Sequence, residues 1–190
     1  MGILHLTSKM FATKMIRNYR NGDHVAIAEI FSQAVHEIAR EVYSKDQCNA
    51  WASGEINYPH WKKRCELKRP FISQNENKEI EGFLELDTNG HIDCAYVNPK
   101  YKRQGVMTRL TEHAIRTCFE FSVDRIFVEA SICIMPMFEK LGFQIIREKM
   151  VRIGEEELKN YDMELIKSSA NKSVQATVRA APDLGGSLKK

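Results

Sequence analysis

The chain has 190 residues, with 28 Lys and Arg against 25 Asp and Glu, for a formal net charge of +3. This length suffices for one domain with a sizeable core, and 43% hydrophobic with 28% charged residues excludes collagen-like, rod-like and wholly disordered chains. So small a net charge gives little support to nucleic-acid binding. No stretch approaches the roughly 18 apolar residues of a membrane span. We therefore expect a soluble domain that binds neither nucleic acid nor membrane.

Cysteine usage points to reduced thiols. The chain has five cysteines, an odd number, and no two of them form a CxxC pair. The one zinc-protease-like start, His36-Glu37, lacks the second His four residues on. These patterns predict neither disulfides nor a metal site, and they suit a cytoplasmic protein.

The composition divides the chain into a core and two ends. Residues 1–14 contain no acidic residue and little periodicity, which predicts an N-terminal extension. Residues 168–190 are rich in Ser, Ala, Gly and Lys, which predicts a flexible tail. The folded domain is therefore expected over residues 15–167.

Helices dominate the first third of this domain. Met15–Arg20 reads as a short strand, and Asp23 is placed to cap a helix with apolar residues at helical spacing. Ser44 with Gln47 forms a capping box for a second helix, and Asn57 can cap a third.

From Pro70 the pattern changes to strands and helices in alternation. Asn89-Gly90 predicts a hairpin because both residues accept positive φ. The predicted strands are 71–74, 80–86, 92–97, 125–130, 143–151 and 162–166, with helices after Gly105 and over 135–141. This order predicts a mixed α/β fold with a mostly antiparallel central sheet.

One joint between a strand and a helix carries a chemical signal. Ile92–Val97 runs into the basic loop Lys100–Gly105, and a helix follows. Helix N-termini expose unpaired amides and a positive dipole end, so this loop could bind phosphate. Taken alone the signal is weak, because many solvated surface loops also carry Lys and Gly.

The residues around this loop resemble a known family. Val97–Met107 resembles the acetyl-CoA loop of the GNAT superfamily of N-acetyltransferases, whose pattern is Arg or Gln, two residues, Gly, one residue and Gly or Ala. Ala130–Phe143 resembles that family's second motif, in the branch where an Ala-Ser-x-x-x-x-Pro-x-Phe run precedes Leu-Gly-Phe. Further matches are Ile16-Arg17, Tyr43-Ser44, Trp51-Ala52, Gly82-Phe83 and Glu85-Leu86. The resemblance spans Met15–Ile166 and implies the GNAT acyl-CoA N-acyltransferase fold, with central strands that splay apart.

The resemblance also implies where acetyl-CoA, the co-substrate, would bind. Backbone of Tyr96 and Val97 would hold the pantetheine arm in the splay, and one amide would polarise the thioester carbonyl. Ser131 and Phe138 of the second motif would line the same site. The pyrophosphate would lie on the loop and helix start, at Lys102, Arg103, Gln104, Gly105, Val106, Met107 and Thr108.

Three positions depart from the family pattern. Lys102 replaces Arg or Gln but keeps the charge, and Met107 replaces a small residue, so it crowds the phosphates unless its side chain turns away. Phe138 stands where many members have a Tyr that protonates the departing thiolate. A thiol with pKa ~8.5 leaves without much help, so losing a general acid worth ~10²–10⁴-fold slows the reaction without forbidding it.

Candidate bases and acceptor residues come from the flanking elements. An attacking amine must be neutral, and Glu85, Asp93 and Glu129 are the candidate bases, although each could equally be an outward strand residue or a partner of a cation. His36 and His91 are further options. Tyr43 and Trp51, together with Tyr58 and Trp61, could shape the acceptor pocket or simply pack in the core.

The resulting expectation is an N-acetyltransferase without a metal. It would transfer acetyl from acetyl-CoA to a primary amine, on a small molecule or a peptide, by direct attack in a ternary complex. An acyl-enzyme on Cys133 or Cys94 is the less favoured route. A non-catalytic acyl-CoA-binding module and an interaction protein are the rivals, and a homodimer is left open.

Overall fold

The structure, a computed structural model, describes residues 15–52 and 54–167. The extension and the tail expected at 1–14 and 168–190 lie outside these residues. The described strands are β1 (Met15–Asn18), β2 (Phe71–Gln74), β3 (Ile80–Leu86), β4 (His91–Val97), β5 (Arg125–Ser131), β6 (Gln144–Ile153) and β7 (Glu156–Ile166). The helices are α1 (Asp23–Gln33), α2 (Lys45–Trp51), α3 (Tyr58–Lys68), α4 (Val106–Glu120) and α5 (Met135–Lys140).

The strands form a sheet of seven in the order β1-β2-β3-β4-β5-β7-β6. Its neighbours pair antiparallel except for β4 and β5, which are parallel. The mixed α/β fold with a mostly antiparallel sheet, predicted from the order of elements, is therefore confirmed. Within the described residues, no helix has the length and apolar character to span a membrane.

A bulge in β4 starts the opening of the sheet. Leu84 pairs with Ala95 and Leu86 pairs with Ile92, so two residues of β4 stand opposite the single residue Glu85 of β3. A bulge of this kind bends its strand and increases the local twist. The bulged residues, Asp93 and Cys94, turn the rest of β4 away from its other neighbour.

The pairing between β4 and β5 ends almost where it begins. His91 pairs with Phe127 and Ile92 with Val128, and no later pair is formed between these strands in the described structure. Beyond that point β4 continues along β3 to Val97, while β5 continues along β7 to Ser131. The sheet therefore opens like a V, as the family resemblance implied.

Helices cover the two faces of the sheet unequally. The larger core lies between the sheet and α4 and α5, and it includes Leu110, Ile126 and Phe138, all fully buried. A second core lies under α1 and α3, around Ile27 and Phe83. On the side of the larger core, the opening of the sheet is lined by the first turn of α4 and by α5.

The local signals at the helix starts had mixed outcomes. The capping box of Ser44 and Gln47 is present at α2, and the Asn57 side chain accepts a hydrogen bond at the start of α3, so both predictions are confirmed. The prediction that Asp23 caps α1 is wrong, because Gly22 occupies the cap with φ of 100°. Asp23 instead binds the Arg17 guanidinium at 2.7 Å and the backbone amide of Arg20.

Candidate active site

A cavity of about 540 Å³ fills the opening between β4 and β5. We call it the splay cavity. The residues of the predicted acetyl-CoA site that line it are Tyr96, Val97, Lys102, Arg103, Gly105, Val106, Met107, Thr108, Ser131 and Phe138. Of the residues predicted to contact the co-substrate, Gln104 is the one that does not line it. One segment therefore supplies most of this wall, from the end of β4 into α4.

The start of α4 is built to accept an anion. Gly105 is the N-cap with φ of 72°, a left-handed conformation that a residue with a Cβ adopts only under strain. No side chain caps this helix, and its first turn holds no acidic residue. The first amides of α4 are therefore left for a ligand, and the dipole of the 15-residue helix favours a negative one.

Arg109 holds this loop in place, a role that sequence reasoning missed. Its Nη1 donates to the carbonyl of Gln104 at 3.0 Å, and its Nη2 donates to the carboxylate of Glu81 at 3.2 Å. Glu81 is 1% exposed and also accepts from Ser73 Oγ at 2.8 Å. A buried carboxylate on β3 therefore fixes the cation that supports the loop, and no spacing in the sequence indicated this pair.

The cations of the loop differ in their availability. Lys100 pairs with Glu79 at 2.9 Å, and Lys102 pairs with Glu41. Arg103 has no ion pair among the residues that the structure describes. Within residues 15–52 and 54–167, Arg103 is thus the loop cation that a ligand could bind without breaking an ion pair.

Alternate residues of β4 direct their backbone N–H and C=O groups away from β3. The amide of Asn98 donates to the carbonyl of Glu81 at 2.9 Å, so the paired positions alternate along the ladder from there. The backbone groups of Tyr96 then point to β3, whereas those of Ala95 and Val97 point into the opening. The backbone groups that face the opening are therefore those of Ala95 and Val97, and not those of Tyr96.

Two of the residues that depart from the family pattern, Met107 and Phe138, are buried. Met107 is 7% exposed and belongs to the larger core, and it also lines the splay cavity. Phe138 is fully buried, and its ring lies 5.0 Å from that of Phe143. Phe138 also lines the splay cavity, and its side chain has no polar atom to offer a ligand.

Tyr43 does not line the pocket that was expected of it. It is 3% exposed and lines neither of the two cavities described here. Its hydroxyl accepts from the amide of Ile132 at 3.0 Å and donates to the carbonyl of Lys159 at 2.7 Å. Burial raises the pKa of Tyr43 to about 12, although the Ile132 amide opposes the shift. Tyr43 therefore ties the end of β5 to β7, as a structural strut beside the splay cavity.

A second cavity, of about 420 Å³, opens beside the first on the side of α1 and α3. We call it the aromatic cavity. Its apolar walls are Phe31, Trp51, Ile56 and Trp61, and Trp51 lines both cavities. The other acceptor-side aromatic considered from the sequence, Tyr58, lines neither. Of the aromatic residues considered for the acceptor side, Trp51 and Trp61 are thus the ones that line the aromatic cavity.

Tyr96 forms the partition between the two cavities. Its ring lies 4.9 Å from that of Phe31 and 6.4 Å from that of Trp51. Burial raises the pKa of the Tyr96 phenol well above its ordinary value. Tyr96 is therefore a neutral hydroxyl at neutral pH, and its ring contacts two aromatic residues that line the aromatic cavity.

A charge network lies against the sheet side of the aromatic cavity. Arg64, which sequence reasoning also missed, lines this cavity and binds both carboxylate oxygens of Glu85 through Nε, at 3.0 and 3.1 Å. Its Nη2 also donates to Asp93 at 2.9 Å. Burial raises the pKa of the fully buried Glu85 carboxyl, and the Arg64 hydrogen bonds oppose that shift. Glu85 lines neither cavity, which contradicts its expected place beside the reacting groups.

The other two candidate bases do line the splay cavity. Burial acts to raise the pKa of Asp93, but a hydrogen bond from Lys68 and the charge of Arg64 outweigh it, so the pKa lies below its usual range. Glu129 is more exposed and pairs with Lys149. His36 and His91 line neither cavity. Asp93 and Glu129 are thus the candidate bases that border the opening, where Glu41, paired with Lys102, is a third carboxylate.

Comparisons with known proteins agree with this architecture. The family model described as the acetyltransferase (GNAT) domain matches residues 39–176. The chain is 34% identical over 136 residues to YafP, an uncharacterized N-acetyltransferase of Escherichia coli (strain K12), covering 72% of this chain and 85% of YafP.

Two solved structures are also similar. One is a GCN5-related N-acetyltransferase, also described as aminotransferase class-II, from Rhodopseudomonas palustris, with a TM-score of 0.75 and 26% identity over 82% of this chain and 96% of that one. The other is YncA of Salmonella typhimurium with its cofactor acetyl-CoA, with a TM-score of 0.59 and 18% identity over 91% of this chain and 99% of that one. The second likeness concerns the fold alone.

A mixed sheet that opens between its parallel central strands, beside an uncapped helix start, defines the acyl-CoA N-acyltransferase class of fold. The domain match spans well over half of the chain, and the 34% identity to YafP extends over most of it. The chain belongs to the GNAT family of acetyltransferases.

Proposed function

We propose that this protein transfers the acetyl group of acetyl-CoA to a primary amine by direct attack within a ternary complex. The observation that carries the proposal is the splay cavity, in which free backbone groups of β4 meet the uncapped start of α4. The backbone groups of β4 would bind the pantetheine arm, and the start of α4 would bind the pyrophosphate. Arg103 adds a charge at the mouth.

The proposed reaction needs one proton acceptor and no metal. The lone pair of the amine nitrogen attacks the thioester carbonyl carbon, the C–S bond breaks, and coenzyme A leaves as a thiolate. A backbone amide of Ala95 or Val97 would stabilise the oxyanion. Asp93, ionised at neutral pH and lining the cavity at the β4 bulge, would take the proton from the amine through water.

The thiols are poorly suited to a covalent route. Cys133 lines the splay cavity with its Sγ 3.0 Å from Ser131 Oγ, but burial raises the pKa of its thiol. Cys94 lies at the aromatic cavity, and burial raises the pKa of its thiol too. A nucleophilic cysteine requires a lowered pKa, so direct attack is the better-supported mechanism.

Two measurements test the proposal in sequence. Calorimetry should first detect binding of acetyl-CoA, and a thiol-release assay over a library of primary amines should then detect turnover. Binding without release from any amine would favour a non-catalytic acyl-CoA-binding module, which the absence of a hydroxyl at Phe138 makes a real alternative. Absence of binding would overturn both functions.

A further inference from the structure

We propose that the aromatic cavity selects the acceptor, and that the preferred acceptors are aryl-alkyl amines, in which a neutral aromatic ring is joined to the primary amine by a short linker. This inference rests on the proposed function and gives it a substrate class. Four observations carry it: the composition of the walls, the shared residue Trp51, the charge at the sheet side, and the distance between the cavities along β4.

The walls favour a flat ring. Phe31 and Trp61 lie with their ring centroids 5.1 Å apart and tilted by 50°. With Trp51 and Ile56 they form the apolar part of the lining of a cavity of about 420 Å³, which is sufficient for an aromatic group, and polar residues such as Asn57 and His60 complete the lining. Aromatic rings prefer offset or edge-to-face neighbours, and tilted rings of this kind present both edges and faces. An apolar ring would also gain more from leaving water than a polar chain would.

The charges that line this cavity come from Arg64 and Glu55. Arg64 faces the cavity from the sheet side, and the carboxylates behind it, Glu85 and Asp93, are already bound to it. Glu55 is exposed, so its carboxylate lies on the solvent side of the cavity. An ammonium group beside Arg64 would therefore meet a guanidinium without a free carboxylate. The part of the acceptor that lies against Arg64 should be neutral.

The position of the cavity directs the amine to the reaction site. Cys94 lines the aromatic cavity, whereas Tyr96, two residues further along β4, lines the splay cavity. Two residues of a strand span about 7 Å. A ring held beside Trp61 could thus extend its amine past Trp51 and Tyr96 to Asp93 through a linker of two or three atoms.

The test compares amines and a variant that fills the cavity. Ser32 lines the aromatic cavity from α1, and Ser32→Trp would occupy it. The neighbouring Gln33 is exposed and lines neither cavity, so Gln33→Trp is the matched control. The wild type should use 2-phenylethylamine with kcat/KM at least tenfold above that for butylamine or spermidine. Ser32→Trp should abolish this preference by raising KM for 2-phenylethylamine about tenfold, while Gln33→Trp leaves it unchanged.

Two further measurements keep the outcomes apart. Ser32→Leu, a smaller intrusion, should raise KM less, and melting temperature with acetyl-CoA affinity should show that each variant is folded. Calorimetry of 2-phenylethylamine against the protein saturated with coenzyme A measures acceptor binding without chemistry. Binding that Ser32→Trp weakens, without turnover of any amine, would support the aromatic cavity and overturn the proposed activity. Turnover without aryl preference, or a KM insensitive to Ser32→Trp, would overturn the inference and leave the activity standing.

Discussion

The two cavities that meet at the bulge of β4 are built in different ways. The splay cavity depends largely on backbone, from the unpaired edge of β4 and the first turn of α4, which lie within one stretch of chain. The aromatic cavity depends on side chains that come from α1, α2, α3 and β4. A site built from backbone tolerates changes of side chain, whereas a site built from side chains changes its ligand with each substitution.

This difference separates affinity for the co-substrate from choice of the acceptor. Substitutions around Arg64 should alter stability and acceptor use without altering acetyl-CoA affinity. Substitutions at the start of α4 should do the opposite. Each prediction below therefore pairs a measurement on one cavity with a measurement on the other.

The largest expected effect is on stability, from Arg64→Met. This change leaves the fully buried carboxylate of Glu85 without its cation, at a cost of about 3 kcal/mol in the free energy of unfolding at pH 7.5. Because burial raises the pKa of Glu85, the charged form destabilises the folded state, so the loss is greatest above that pKa and shrinks as the pH falls through it. Urea unfolding at pH 7.5 and pH 5 measures the loss of unfolding free energy and its dependence on pH.

The matched control removes both charges at once. Arg64→Met combined with Glu85→Leu should recover at least half of the lost stability, since no buried charge is left unpaired. Acetyl-CoA affinity of both folded variants should equal that of the wild type. A loss of affinity in step with the loss of stability would show that the two cavities are not independent.

Asp93→Asn tests the proposed base at the junction of the cavities. We expect kcat to fall about 100-fold, within the range for loss of a general base, and the KM for acetyl-CoA to stay unchanged. Since the pKa of Asp93 is lowered, the carboxylate stays ionised across neutral pH, and the rise of kcat/KM with pH should follow the amine. Steady-state kinetics between pH 6 and pH 9.5 provides the profile.

Two controls isolate the carboxylate from its network. Asp87 also binds Lys68, at 2.7 Å, but lines neither cavity, so Asp87→Asn should leave kcat within threefold of the wild type. Glu129→Gln tests the other candidate base at the opening and should also have a small effect. If Glu129→Gln caused the 100-fold loss and Asp93→Asn did not, the base would be Glu129.

Gly105→Asp acts on the opposite cavity. A carboxylate at the N-cap of α4 would repel the pyrophosphate, and the Cβ would strain a backbone with φ of 72°, so the Kd for acetyl-CoA should rise about 30-fold. Gly105→Asn carries a similar shape without the charge, in a residue that tolerates this conformation, and should raise the Kd less than fivefold. Equal losses in both variants would mean that strain, not charge, governs binding.

Features built from local backbone patterns could be predicted from the sequence better than features built from distant side chains. The capping box at Ser44, the cap at Asn57 and the loop before Gly105 are local patterns, and the structure contains all three elements. The second strand of the final hairpin was expected from Asp162 but begins at Glu156. Its first residues include Glu156, Glu157 and Lys159, so the apolar pattern of a strand is weak there although most of the strand is half-buried.

The side-chain sites could not be predicted in the same way. Arg64 and Glu85 are 21 residues apart on a helix and a strand, and Arg109 reaches Glu81 over 28 residues. Their charges looked like those of solvated surface residues, because only the tertiary packing of α3 and α4 on the sheet brings the partners together. The position of Tyr43 could not be predicted for a related reason, since its hydroxyl forms hydrogen bonds with backbone groups 89 and 116 residues away.

Phe138→Tyr has the smallest expected effect, and it probes the wall of the splay cavity where the thiolate would leave. The new hydroxyl enters a fully buried position without a designated partner, so the free energy of unfolding should fall by about 1 kcal/mol. Phe143→Tyr is the matched control, because Phe143 is 3% exposed and packs on the same ring but does not line the cavity. If the departing thiolate needs no acid, kcat should stay within threefold of the wild type in both variants. A rise confined to Phe138→Tyr would show that a proton donor at this position assists the leaving group, while complete loss of turnover in a folded Phe138→Tyr protein would show that the acetyl group itself packs against Phe138.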